Sequence, residues 1–80
     1  MPTVFIQNGY RVSFYSYDLA ERMHVHVFKG GHECKVWLDD LAVAFNRGFK
    51  PHEVAEILQM VSDRRAEIVQ RWLEHGRNQG

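Results

Sequence analysis

Before Pro51 the apolar residues of this chain recur mostly at alternate positions, around two glycine-bearing turns; after it they recur at steps of three and four. Strand side chains alternate between faces, whereas helix side chains return to one face about every 3.6 residues. The change of period therefore predicts strands first and helix last. The fold class that follows is α+β: an antiparallel sheet of four or five strands built from two hairpins, with a long C-terminal amphipathic helix packed on one face.

The first hairpin lies in T-V-F-I-Q-N-G-Y-R-V-S-F-Y-S, residues 3–16. Asn8-Gly9 suits the positive φ of a type I′ turn, so strands are expected at about 3–7 and 10–16. Phe5, Val12 and Phe14 share one face; Val4, Ile6, Ser13 and Tyr15 share the other. Both faces are partly apolar, which suggests a central hairpin covered on both sides. Residues 17–23 are a connection.

The second hairpin spans about 24–29 and 32–38, around Gly30-Gly31. Pairing Lys29 with His32 sets His26 opposite Lys35 and His24 opposite Trp37. Val25, Val27, Cys34, Val36 and Leu38 then form a small, purely apolar face, the natural core side. His24, His26, Phe28, Glu33, Lys35 and Trp37 form the other, read most simply as a half-exposed face of polar and aromatic groups. Asp39-Asp40 end this strand. Residues 41–46 fit a last short strand or a turn of helix, with the strand preferred.

From Pro51, which suits a first helical position, the residues Val54, Ile57, Leu58, Val61, Ile68, Val69 and Trp72 mark an amphipathic helix. Glu53 meets the helix dipole favourably, and Lys50 is a poor cap. Arg65 falls on the apolar stripe: either its stem lies along the core, or the helix divides near Ser62-Asp63. A single helix over about 51–75, ended by Gly76, is the expected form, followed by a short tail.

Eighty residues suit a single domain, residues 1–80, whose core is thin: a chain this short buries roughly 60–65% of its unfolded surface. A homodimer or a cognate partner would help it. Ten basic residues balance ten acidic ones, which weakens the case for non-specific nucleic-acid binding. The single cysteine, Cys34, forms no internal disulfide and no cysteine-rich zinc site; a cytoplasmic location fits, and no signal peptide or membrane span is expected.

Several chemistries compete for the histidine pair. With Glu33, two imidazoles match a known zinc ligand set, but Cys34 points away and no metal or other cofactor is expected. As catalytic residues, His24 and His26 would exchange protons with an RNA 2′-hydroxyl and its leaving oxygen, while Lys35 stabilised the phosphorane charge. Arg11, Arg64 or Arg65 would join only if the layers met there. Phe28 and Trp37 beside Lys35 suit base stacking, or a docked helix. Arg47-Gly48-Phe49 suits an anion or a partner, although a glycine before a helix more simply relieves backbone strain. Trp72 is a core or dimer-seam residue. No phosphate-binding loop, zinc-protease motif or serine elbow is present.

In order and spacing, M-P-T-V-F, G-Y-R-V-S-F-Y-S, H-V-H-V, K-V-W-L, N-R-G-F and D-R-R-A-E-I-V-Q-R-W resemble the small bacterial family filed as domain of unknown function 4160. Members usually carry prolines where Arg22 and Met23 stand here. The resemblance implies a gene beside one for another small protein, in a toxin–antitoxin-like pair, and hence a protein-interaction component with a cognate partner. The alternatives are a metal-independent ribonuclease using His24 and His26, or a non-enzymatic nucleic-acid-binding module.

Overall fold

The computed structural model describes residues 3–14 and 21–79, the last three as backbone only. Tyr15 and Ser16, expected to extend the second strand, and most of the connection after them lie outside the described residues. Five strands come first: β1 (Thr3–Gln7), β2 (Tyr10–Ser13), β3 (His24–Lys29), β4 (His32–Trp37) and β5 (Val43–Arg47). Two helices follow, α1 (Pro51–Asp63) and α2 (Arg65–Gln79). The strands form one antiparallel sheet in the order β1-β2-β3-β4-β5, and the fold class is α+β.

Both hairpins turn where the glycines permit it. Asn8 and Gly9 have φ of 53° and 81°, and Gly30 and Gly31 have 56° and 83°, the double positive φ of a type I′ turn. The β3–β4 register pairs His24 with Trp37, His26 with Lys35, Val27 with Cys34 and Lys29 with His32. Val12 of β2 pairs with Val27, and Phe5 of β1 with Val12. Cross-strand partners share a face, so Phe5, Val12, Val27 and Cys34 form one row.

The first hairpin is not central. The meander leaves β1 at an edge, where Ile6 is 67% exposed. Alternation between two partly apolar faces did not reveal which strand would lie inside. A register shift between Thr3 and Phe5 coincides with burial of both Val4 and Phe5. The last strand begins later than expected, because Leu41 takes φ of 59° and Ala42 N–H donates to Asp40 Oδ1.

The fully buried Val12, Val25, Val27, Cys34, Val36 and Leu38 join Ile57, Val61 and Ile68 in one core. The single helix expected over 51–75 is two helices. Arg64 leaves helical geometry (φ −113°, ψ 20°), and its guanidinium lies over the Phe5 ring at 3.5 Å. Arg65 donates from Nε to the Leu38 carbonyl at 2.5 Å. Arg65 opens α2 still three, four and seven residues before Ile68, Val69 and Trp72, with its head on the carbonyl of the buried Leu38. Gly76 does not end α2, which runs on to Gln79. At the start of α1, Glu53 rather than Lys50 supplies the side-chain capping bond, accepting the Lys50 backbone N–H at 2.9 Å. That bond holds the Glu53 carboxyl below its usual range.

The helices also reach beyond the valine side. Trp72 of α2 meets Phe14 at 5.2 Å between ring centroids and His24 at 5.3 Å, and His24 belongs to the opposite strand face. Among the described residues, no helix is long and apolar enough to cross a membrane.

Candidate functional site

Alternation along β3 and β4 brings His24, His26, Phe28, Glu33, Lys35 and Trp37 to the face away from Cys34. The face is less open than expected. His24 is 0% exposed and His26 is 8% exposed. The His24 ring stands edge-on to Trp37 at 5.7 Å, to Trp72 at 5.3 Å and to His26 at 5.1 Å. Trp72 comes from a distant part of the chain, so local alternation could not reveal this cover.

Hydrogen bonds settle which nitrogen carries a proton. His24 Nδ1 lies 2.8 Å from the Arg22 carbonyl oxygen, which only accepts, so Nδ1–H donates. His26 Nδ1 lies 3.0 Å from Glu33 Oε2 and donates to that carboxylate. Two buried imidazoles are thus oriented by two oxygen acceptors. This arrangement fixes the rings against the sheet; it leaves His24 out of reach of a substrate.

Around the pair runs a border of cations on aromatic rings. Arg22 lies 4.6 Å and Lys35 4.7 Å from the centroid of Trp37. Arg47 lies 4.7 Å from Phe45, and Arg11 5.1 Å from Phe28. Phe28 stacks on His26 with 6.2 Å between centroids. Most of these cations also meet a carboxylate of the same chain. Arg22 Nε is 2.8 Å from Asp39 Oδ2, and its Nη2 is 3.1 Å from Asp40. Lys35 is 3.4 Å from Glu21, and Arg47 is 3.9 Å from Glu33. Beside Arg22, the Asp39 carboxyl sits below its ordinary range and the guanidinium above its own.

Arg64, a candidate for the same site, is not part of it. It is held by Glu67 at 2.9 Å, Gln7 at 3.2 Å and the Phe5 ring, on the Val12 side of the sheet. Arg47 joins at the rim. Gly48 has φ of 103°, and a Cβ there would lie 2.0 Å from His32 Nδ1, so backbone and ring pack closely at this loop. Two members were missed, Ser13 and Phe45, and Arg11, expected only if the layers met there, joins them: β2 pairs with β3, setting Arg11 and Ser13 opposite Phe28 and His26. Phe45 enters because β5 sets it opposite Lys35. Pairing between hairpins has no turn to announce it, so only hydrophobic patterning could have suggested these neighbours.

Among the described residues, no group of three or more His, Cys, Asp or Glu is placed to hold a metal ion. Cys34 lies on the other face, where burial pushes its thiol up to about 11. A thiol held in that state is a packing group, not a nucleophile. What the face offers chemically is aromatic area bordered by charges most of which already have partners.

No curated protein and no solved structure matches the chain. A match does come from a family whose description is Domain of unknown function (DUF4160), over residues 9–73, and it takes in every strand from β2 onward, the histidine pair and most of both helices. With that span matched, the chain belongs to this family.

Proposed function

We propose that this chain is a protein-interaction module, and that the aromatic face around His26 and Trp37 receives a cognate small protein. The two-gene, toxin–antitoxin-like setting implied by the sequence resemblance supplies the kind of partner. The observation that carries the reading is charge balance on that face: Arg22, Lys35 and Arg47 each stand near a carboxylate of their own chain. A phosphate-binding surface needs unanswered positive charge, because release of counterions drives its affinity. Trp and Arg presented beside Phe, with most charges internally matched, are instead the side chains that dominate protein interfaces. The burial of His24 further favours binding over a two-histidine ribonuclease mechanism.

The test is co-expression with the neighbouring gene product, with RNA binding and RNA integrity measured on the same samples. Trp37→Ala should weaken the complex by roughly tenfold or more, as expected of an interface anchor. Arg64→Ala, on the other side of the sheet, should leave it unchanged. RNA cleavage in excess chelator, or RNA binding that falls steeply with salt while the protein complex fails to form, would overturn the reading.

A further inference from the structure

The cations on the aromatic face are not equally answered. Arg22, Lys35 and Arg47 each stand near a carboxylate of their own chain. Arg11 does not: it is exposed, and among the described residues it has no ion pair. Pairing across the sheet explains its setting. Arg11 of β2 stands opposite Phe28 of β3, Phe28 opposite Glu33 of β4, and Glu33 opposite Arg47 of β5, so four strands carry one row. Two arginines therefore flank one carboxylate, which already accepts His26 Nδ1–H at 3.0 Å and faces Arg47 at 3.9 Å. The Arg11 guanidinium is also held in place. It lies 5.1 Å from the Phe28 ring centroid, and Phe28 stacks in turn on His26. Beside this stack a hollow of about 520 Å³ opens between the two hairpin turns, lined by Arg11, Phe28, Lys29, His32 and Glu33. Lys29 adds positive charge there while its ammonium donates to the Asn8 carbonyl at 3.1 Å.

We infer that this hollow receives an aspartate or glutamate of the cognate protein, whose carboxylate bonds the Arg11 guanidinium beside Phe28. The inference rests on the interaction-module reading and adds the chemistry by which the partner is recognised. A guanidinium stacked on a ring keeps its edge N–H donors available, and their fork matches the two oxygens of a carboxylate. Because Phe28 already holds the side chain, little of its freedom is lost on binding. Charge favours one carboxylate over a polyanion. In the hollow, Arg11 and Lys29 exceed Glu33 by a single charge, and Glu33 repels a run of phosphates at short range.

The test is titration of the native chain and its variants with the purified neighbouring gene product and, separately, with a single-stranded RNA oligonucleotide. Arg11→Ala should weaken the protein complex by roughly tenfold to a hundredfold, as expected for loss of a charged hydrogen bond. Arg11→Lys should recover only part of the affinity, since an ammonium lacks the paired donors. Urea unfolding should be little changed in both variants, because Arg11 is exposed. Alanine substitution of the partner's acidic residues, one at a time, should find one whose removal costs as much as Arg11→Ala. The double-mutant cycle between the two should show them coupled. A complex weakened by Trp37→Ala but indifferent to Arg11→Ala overturns this inference and leaves the interaction-module reading intact. Absence of any complex overturns both. RNA binding that is lost in Arg11→Ala while the protein complex keeps its affinity assigns the guanidinium to phosphate, and likewise overturns the inference.

Discussion

On one side of β3 and β4 lie Val25, Val27, Cys34 and Val36, all fully buried; on the other, His24 is buried as completely and His26 nearly so. The valine side excludes water by filling space, and nothing on it needs a hydrogen bond. The histidine side excludes water with groups that do need one, and it supplies the Arg22 carbonyl and Glu33 carboxylate for them. Burial depth alone therefore does not distinguish the sides. The first should fail by losing volume and the second by losing a partner.

The largest effect should come from removing volume. Leu38→Ala, in the fully buried cluster, should cost about 2–5 kcal/mol in urea unfolding. A cost as small as that of a surface substitution would break the distinction.

Next comes alkaline pH, which addresses the valine side through the Cys34 thiol. The Cys34 thiol is raised from 9.0 to about 11 in the folded chain. Below the lower value it is protonated whether folded or not, and pH has no effect through it. Between the two, the unfolded chain gives up its proton while the folded chain keeps it. Stability should therefore fall as pH rises through that window, by on the order of 2 kcal/mol at its upper end. Tyr10, raised chiefly by burial and then by Glu56, contributes in the same direction. Cys34→Ala should remove only the cysteine share, seen as a shallower loss in urea titrations at successive pH values. An unchanged slope would mean that the thiol is not held protonated.

The smallest of the three effects should come from the histidine side. Glu33→Ala should cost about 1 kcal/mol, because His26 loses its acceptor. A double-mutant cycle with His26→Ala should show most of that cost as coupling between the pair. Strictly additive costs would mean that packing, not the hydrogen bond, secures this side as well.

Parts of this arrangement could be read from residue order. Gly30-Gly31 in the middle of an alternating run allows only one pairing that puts Val25, Val27, Cys34 and Val36 together, and that pairing is the one observed. The position of β1 could not be read, because Ile6 and Val4 resemble core residues as much as Phe5 does. The division of the last helix was signalled by Arg65 on an apolar stripe, but periodicity alone could not weigh a bent helix against a snorkelling side chain. The burial of His24 was hidden, since Trp72 supplies the cover and nothing local to β3 points to α2. Arg64 was misplaced for a related reason: a helix surface offers a cation to either side of a sheet until packing chooses.

Each strand in this meander bonds only to the strands beside it in the chain. Short loops close at little entropic cost, so such a sheet can assemble quickly and in the order in which a ribosome delivers it. Ile57, Val61, Ile68 and Trp72 arrive last. During synthesis, then, the valines wait as a sticky, water-facing surface until the final third of the polypeptide emerges. Slow translation or a premature stop in that final third would turn a fast-folding sheet into a target for chaperones or aggregation.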